Sequence, residues 1–548
     1  MPLNSGDLAL IPLGGTGEIG LNLNVYRCDQ ALLAVDCGIG FGGSDTPEAE
    51  VMVPDASWLA ERQDQLQALV ITHAHEDHLG AVAHLWPSLR CPVYASPFAA
   101  AVLRRKLGEA GLLNQVMLHT VPPGGRFAVG PFDLTFLRVA HSVPEAQALA
   151  IRTRHGIVMH TGDWKLDPDP LLGPPTDEAA FAALGQEGVL AMVCDSTNAL
   201  VDGTSGSEAE VLRELTALIG ELKGRVAVTC FATNVARLYS VAKAAEANGR
   251  QVALFGRSLR NADAAARETG YLSDIPPFLT EEEAGYLPDD ALVVICTGSQ
   301  GEPRSALSKI AADTHPQISL GEGDTVIYSS RQIPGNERAI ARVQDRLRRA
   351  GCRVITADER MVHVSGHPAR DELRRLYALV KPRIAVPVHG EWRHLEQHAE
   401  LAQEAGAKPI LIEDGDVLRL SGNTPEVVDT VPTGRFAIDG DRLLPLEGGV
   451  LAARRRMLFN GVVVASLAVD RDGRVRGEPQ VSAPGLFEQI DAEPAEIASE
   501  LARAIGDLPT PLRLDDDPLR EAARTALRRS LGRRLRKRPM VDVHLLRV

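Results

Sequence analysis

Cysteine is scarce in this 548-residue chain, and its seven copies, at positions 28, 37, 91, 194, 230, 296 and 352, include no CxxC pair. That scatter and the odd total argue against a disulfide framework and a cysteine zinc site, and point to a reducing cytosol. Long apolar runs are missing as well, since no stretch of about 18 such residues occurs to suggest a membrane span. The N-terminus, MPLNSGDLALIPLGG, lacks the basic start and apolar core of a secretory leader, so a cytoplasmic protein without membrane association is expected. Positive charge is in deficit too, with 58 basic against 72 acidic side chains and a formal net charge of −14. Such a balance opposes binding of nucleic acid by bulk attraction, because phosphate contacts need positive charge. What remains, 45% hydrophobic and 24% charged, is an ordinary globular composition. Its length allows roughly two to four domains, each with a real core.

Short strands dominate the opening: 8–13, 22–27, 31–36, 67–72 and 92–95 are apolar and bounded by Gly, Pro or Asp. The same strand-and-turn texture continues over 132–163. From about 205 to 350, longer helical segments alternate with single apolar strands such as RVAVTCF, QVALFG, ALVVICTG and DTVIYSS, which predicts an α/β unit with a mostly parallel sheet. Short strands return at 353 (RVITAD), IAVPVHG and KPILIEDGDVLRL, so the middle reads as an insertion into the first domain. The expected division is 1–200 and 351–450 for the first domain with its linker, 201–350 for the insert and 451–548 for a C-terminal domain. In the last of these, VVVASLAVDRDGRV predicts a hairpin around Asp472-Gly473, followed by two helical segments. Residues 524–548 carry nine basic side chains and one acidic, a local net of +8, which suits either an RNA- or ribosome-contacting patch or the solvated face of a helix.

The densest chemistry is His73-Ala74-His75-Glu76-Asp77-His78, directly after the apolar strand ALVIT and before LGAVAHL, which reads as a helix start. Imidazoles and carboxylates at a strand-to-helix turn are the N and O donors that zinc or manganese takes. Positions i and i+2 of an extended segment project alike, so His73 and His75 serve one metal, while the turn aims Asp77 and His78 at a second. A random HxHxDH at this histidine frequency is expected on the order of once in a thousand such chains. His141, Asp163 and His389 each follow an apolar strand, where a loop begins and site residues commonly sit. Gly15-Thr16-Gly17-Glu18-Ile19-Gly20 imitates a dinucleotide-binding fingerprint, with Asp36 further on. The alternation of NLNVYR immediately afterwards leaves no room for the helix that would hold a pyrophosphate. These glycines are expected to form a tight turn near the metal site.

HAHEDH, preceded by Asp36 in LLAVDCG and followed by His141 and Asp163, resembles the metallo-β-lactamase fold, and the α/β stretch resembles an inserted β-CASP domain. Asp195 in MVCDSTN, HVSGH at 363–367 and His389 in VPVHGE match β-CASP signatures, and a histidine at the last position resembles RNA-acting members rather than DNA-acting ones. GGTGEIGLN at 14–22, TGSQGEP at 297–303 and IPGNE at 333–337 extend the match along almost the whole chain, which looks like the ribonuclease J family. The fold implied is an αββα metallo-β-lactamase sandwich with an inserted β-CASP α/β domain and a small C-terminal α/β domain.

The resemblance implies two divalent ions, zinc first and manganese or magnesium as alternatives. His73, His75 and His141 would hold one, Asp77, His78 and His389 the other, with Asp163 bridging and Asp36 orienting a ligand histidine. Asp195 and His367 would form an acid/base pair able to protonate a departing 3′ oxygen. His363, Val364, Ser365, Gly366 and His367 would receive a terminal 5′-monophosphate, Gly366 permitting close approach. Phe231, Ala232, Thr233 and Asn234 would touch the substrate, although FATN departs from the commoner Ala-Ser-Asn form. The implied activity is a 5′ to 3′ exonuclease and endonuclease on single-stranded RNA, in rRNA maturation and mRNA turnover. The expected assembly is a homodimer or tetramer, with an RNA-degradation complex or the ribosome as a further partner. The alternatives are a lactonase or thioesterase of the same fold, against which the long inserted domain speaks, and an inactive RNA-binding scaffold, against which the complete donor set speaks. Charge is then local, with an acidic outer surface and a positive channel leading to metal-neutralised carboxylates.

Overall fold

The computed structural model describes residues 6–43, 46–47, 49–333, 335–422, 424–488 and 492–548. Met1 to Ser5 of the N-terminus and Pro334 of IPGNE therefore lie outside the described residues. The chain divides into two units, Met1–Ser44 with Val51–Phe436, and Asp45–Glu50 with Ala437–Val548.

The larger unit contains two sheets packed face to face. One has the order Glu426–Thr430, Asp416–Arg419, Leu8–Gly14, Leu23–Cys28, Ala31–Val35, Leu66–Val70, Val93–Ala95, Leu118–Thr120. The other runs Lys408–Pro409, Ile384–Val388, Val189–Asp195, Gly156–His160, Gln147–Thr153, Phe132–Arg138, Arg126–Val129. Alternation along Phe132–Arg138 turns Phe132, Leu134 and Phe136 into the space between the sheets, where they meet Leu8, Leu10, Tyr26, Leu33 and Val70 in one buried cluster. The outer face of the second sheet is covered by the helices Glu178–Glu187, Arg370–Val380 and Trp392–Glu404, through Phe181, Leu184, Leu373, Tyr377 and Leu401 against Met159, Met192 and Cys194.

Between Val189–Asp195 and Ile384–Val388, which pair in parallel from Ala191↔Ile384 to Asp195↔Val388, the chain leaves this sheet and builds a separate one. Its order is Gln251–Phe255, Leu292–Cys296, Val226–Thr229, Thr325–Tyr328, Arg353–Ile355, and all its pairings are parallel. Continuous burial along Val226–Thr229, Leu292–Cys296 and Thr325–Tyr328 is what a parallel sheet covered on both faces requires. The helix Glu337–Arg349 contributes Ile340, Val343, Gln344 and Leu347, a single stripe at helical spacing. One strand is placed differently from the sequence reading. Arg353–Ile355, expected to open the resumed first domain, pairs with Thr325–Tyr328 and closes the inserted sheet instead, because its partner is the strand it follows across one helix.

The smaller unit has a three-stranded sheet, Gln480–Ser482, Val462–Val469 and Met540–Arg547, packed on the helices Glu493–Gly506 and Asp516–Leu535. The hairpin around Asp472-Gly473 is present: the Gly473 N–H donates to the Asp470 carbonyl, Val469 bridges Val475, and Val462–Val469 pairs antiparallel with Gln480–Ser482 from Val464↔Ser482 to Ser466↔Gln480. The long partner of Val462–Val469 is the C-terminal strand, in parallel. Three helices rather than two follow the turn, counting the short Thr510–Leu514. The basic stretch is largely a packed helix: Leu527 and Leu531 are buried, and Arg524, Arg528, Arg533, Arg534 and Arg547 pair with Asp542, Glu521, Glu500, Glu496 and Asp516. Among the described residues, no helix is long and apolar enough to cross a membrane.

Candidate metal centre

After Leu66–Val70 ends, His75 remains extended and its carbonyl accepts from the N–H groups of His78 and Leu79, starting the one-turn helix Glu76–Leu79. The helix thus begins three residues earlier than LGAVAHL suggested, and a second one, Val82–Leu89, follows it. That turn separates the donors into two groups. His73, His75, His141 and Asp163 bring ligand atoms within 4.8 Å of one another, and so do Asp77, His78, Asp163 and His389.

Asp163, two residues beyond the end of the Gly156–His160 strand's flanking Thr161, lies at the centre. Its Oδ2 is 3.6 Å from His73 Nε2, 3.2 Å from His78 Nε2 and 3.7 Å from His141 Nε2, and its Oδ1 is 3.1 Å from His389 Nδ1. His389 follows the strand Ile384–Val388 in a left-handed conformation (φ 54°), its N–H donating to the Gly15 carbonyl at 2.7 Å, and its Nε2 lies 3.3 Å from Asp77 Oδ2. The glycine turn at 14–20 is therefore against the cluster, and the strand Leu23–Cys28 follows it rather than a helix.

Partners beyond the donors hold the rings. Asp36 accepts from His78 Nδ1 at 2.7 Å and from the Thr72 N–H and hydroxyl at 2.8 and 2.9 Å, leaving His78 Nε2 to face Asp163. His141 Nδ1 donates to the Gly366 carbonyl at 2.6 Å. A Cβ at Gly366 would stand 2.7 Å from His141 Cε1, so this glycine's close approach is to the histidine ring. Gly38, which sequence reasoning passed over, is required in the same way, because a Cβ there would lie 1.6 Å from the Asp77 carbonyl oxygen. Nothing local distinguishes it from the chain's other glycines. Asn22, Thr72 and Asn198, also missed as individual residues, sit inside or beside segments that were singled out.

A third group adjoins the first two: Asp195 and His367 stand with Asp163 and His389. Asp195 Oδ2 accepts from His367 Nδ1 at 2.8 Å, and its Oδ1 accepts from the Thr197 N–H at 2.8 Å. Asn198 donates to Ser365 Oγ at 2.8 Å and to the His367 carbonyl at 3.0 Å, fixing the HVSGH segment. Val364 is buried and turned toward Gly206, while His363 lies apart from the cluster with its Nδ1 lacking a partner. Phe231 to Asn234 form the turn into the helix Val235–Ala247, which Asn234 caps through the Arg237 N–H. Among the described residues, no hydrogen bond joins them to His363–His367 or to the donor cluster.

The electrostatics separate the imidazoles. Burial, reinforced by neighbouring rings, pushes His73 and His141 well below the ordinary histidine range, and burial brings His75 down to about 4. Burial acts the same way on His78 and His389, but Asp163 and the other adjacent carboxylates outweigh it and hold both well above that range. Burial would raise Asp77, Asp163 and Asp195, and the imidazoles around them hold all three low instead. Both oxygens of Asp163 and Nε2 of His389 are buried with no hydrogen-bond partner among the described residues. An ionised carboxylate left unsatisfied at the centre of four imidazoles is costly in a protein alone and suits divalent cations. The donor set fits two such ions sharing Asp163.

Two facing sheets with this histidine–aspartate cluster at their rim, interrupted by a parallel α/β insert, define a metallo-β-lactamase-fold hydrolase of the β-CASP type. Residues 33–181 match the Beta-lactamase superfamily domain, 223–347 the Ribonuclease J beta-CASP domain, 336–412 the Zn-dependent metallo-hydrolase RNA specificity domain, and 449–548 the Ribonuclease J C-terminal domain. The chain is 44% identical to "Ribonuclease J" of Sinorhizobium meliloti, over 99% of this chain and 98% of that one. It is 39% identical to "Ribonuclease J" of Mycolicibacterium smegmatis, over 98% and 97%, and 34% identical to "Ribonuclease J2" of Bacillus subtilis, over 98% of each. A protein of unknown function from Enterococcus faecalis V583 shares the fold, with a TM-score of 0.52 at 16% identity over 76% of this chain and 100% of that one. The chain belongs to the ribonuclease J family, and its buried His/Asp cluster is consistent with the dinuclear metal site of a metallo-hydrolase.

Proposed function

We propose that this protein is a metal-dependent ribonuclease that degrades 5′-monophosphorylated RNA from the 5′ end, releases mononucleotides and also cuts internally, in rRNA maturation and mRNA turnover. The observation that carries the reading is the unsatisfied Asp163 carboxylate within the ring of His73, His78, His141 and His389. In this reading His73, His75 and His141 hold one zinc ion, Asp77, His78 and His389 the other, and Asp163 both. Bound there, the ions supply Lewis acidity at phosphorus and an activated water.

The chain's own groups do the rest. The Asp195 carboxylate outweighs burial and keeps His367 protonated above its ordinary range, so that its imidazolium is poised to give a proton to the departing 3′ oxygen. Asn198 holds Ser365 and His367 in place, presenting a hydroxyl and backbone N–H groups to a terminal phosphate. Phe231 to Asn234, at the start of Val235–Ala247, approach the nucleotide from the insert. Division into 1–200 with 351–450, 201–350 and 451–548, with the insert extended to take in Arg353–Ile355, dimers or tetramers built on the C-terminal domain, and association with a degradation complex or the ribosome complete the proposal.

The test offers the purified protein a 5′-monophosphate RNA, its 5′-triphosphate form and a single-stranded DNA, each with zinc, manganese or magnesium. Metal-dependent release of mononucleotides from the monophosphate RNA, abolished by Asp77→Ala with His78→Ala, is the expected result. Turnover of a small ester with no RNA cleavage would replace this reading with a lactonase or thioesterase.

A further inference from the structure

In a chain whose formal net charge is −14, the helix Glu337–Arg349 of the insert carries five arginines against two acids, Glu337 and Asp345. Its buried side is the stripe Ile340, Val343, Gln344 and Leu347. Arg338, Arg342, Arg346 and Arg349 follow one another at steps of four, four and three residues, which sets them in a row on the opposite, exposed side. Among the described residues, none of the four makes an ion pair or a side-chain hydrogen bond. Asp345, the acid on that side, stands 3.9 Å from Arg348, and Glu337 accepts from the Gly335 N–H. The helix Asp516–Leu535 is the contrast, since there Arg524, Arg528, Arg533 and Arg534 are met by Asp542, Glu521, Glu500 and Glu496.

Helix stability does not account for the row. Like charges four residues apart repel, and Arg338, in the first turn, faces the positive end of the helix dipole. Of the four, Arg346 and Arg349 alone lie in the last turn, where that dipole favours a cation. The row also has a direction. Because Thr325–Tyr328 and Arg353–Ile355 pair in parallel, the helix between them runs back from the C-terminal edge of the sheet to its N-terminal edge. Its start adjoins the loop that reaches the reaction site: Arg331 bonds Asn198 Oδ1, and Asn198 holds Ser365 and His367. Arg338 is therefore the near end of the row, and Arg349 stands about 16 Å further along the axis.

We propose that this row is an exosite for single-stranded RNA, holding the backbone of the polymer outside the reaction site, with Arg338 on the nearest phosphate and Arg349 on the farthest. Guanidinium groups suit the task, because they fork phosphate oxygens and keep their charge. A line of cations without fixed partners holds a strand whatever its sequence. The choice of polymer rests on the function proposed above. The unpaired cationic track rests on the helix.

The test is fluorescence anisotropy of the zinc-loaded protein with cleavage-resistant 2′-O-methyl RNAs, one of about 20 nucleotides and one of about 5 that fits within the reaction site. The variant is Arg338→Gln with Arg342→Gln, Arg346→Gln and Arg349→Gln. Glutamine keeps helix propensity and no partner is lost, so it should melt no lower than the parent. It should bind the long RNA about tenfold more weakly or worse, and its plot of log affinity against log salt should be shallower by about 0.7 for each arginine removed. The short RNA should bind within about twofold of the parent, and lysine at all four positions should keep the parent's salt slope. Equal affinity and slope for the long RNA in parent and variant would overturn the proposal, as would an equal loss on the short RNA. A change of mass in sedimentation velocity would also overturn it, making the row a contact between copies of the chain. Cleavage of unmodified RNA is measured in the same preparations: its absence from the parent counts against the ribonuclease reading, while the anisotropy still decides this one, and a parent that binds no RNA overturns both.

Discussion

Two buried histidine environments meet at the Asp195–Ser196 step, and they are opposites. On one side, His73, His78, His141 and His389 surround an Asp163 whose oxygens have no hydrogen-bond partner among the described residues. On the other, His398 is hydrogen-bonded at both nitrogens, Nδ1 to the Ser196 hydroxyl at 2.8 Å and Nε2 to the Tyr377 hydroxyl at 2.9 Å. Burial lowers His398 to about 4, so it is a neutral link in a finished network. Burial alone therefore does not distinguish a site from a scaffold. Satisfaction does: a closed polar network fixes the strand-end loop in position, and an open one is reserved for something that is not protein.

The strongest way to break this contrast is Asp163→Asn. It should remove bound zinc, read by elemental analysis, and lower kcat/KM on RNA at least a thousandfold, about 4 kcal/mol of barrier. Next is Asp36→Asn, which weakens the hold on His78 Nδ1 without touching a donor. Metal affinity should fall by about 10–100-fold in a chelator competition, and added zinc should restore the activity. In the closed network the expectation inverts. Tyr377→Phe leaves His398 Nε2 unpartnered and should cost about 1–3 kcal/mol of stability in a denaturation curve, with kcat/KM within about twofold of the parent.

A separate contrast concerns a third buried polar group, Asp414, which accepts from the Thr16 N–H at 3.1 Å beneath the glycine turn. Burial, then the charge of Glu18, raises Asp414 from 3.8 to about 8. An acid whose folded pKa exceeds its unfolded one binds more protons when folded, so stability falls as pH rises from about 4 to about 8. Melting temperatures across that window should show the decline, and Asp414→Asn should flatten it.

How much of this was legible in the sequence follows from range. The strands at 8–13, 22–27, 31–36, 67–72 and 92–95 fall within a residue or two of Leu8–Gly14, Leu23–Cys28, Ala31–Val35, Leu66–Val70 and Val93–Ala95, because apolar runs bounded by turn residues are local signals. Arg353–Ile355 was misplaced because its texture resembles either sheet, and only its pairing with Thr325–Tyr328 decides between them. The hairpin at Asp472-Gly473 was legible, because its turn dipeptide is a local signal. What it did not reveal is the parallel C-terminal strand, some 70 residues on, which pairs with the other edge of Val462–Val469.

By itself, the sequence determined which donors exist and how HAHEDH divides them, since an extended i, i+2 pair followed by a helical turn is dictated by backbone geometry within six residues. Tertiary structure alone decided that Asp163 would sit at their centre and that Gly366 would press on the His141 ring from 225 residues away. The reason is physical. Whether a buried polar atom finds a partner depends on what the rest of the chain brings beside it, and the spacing of residues along the backbone carries no record of that.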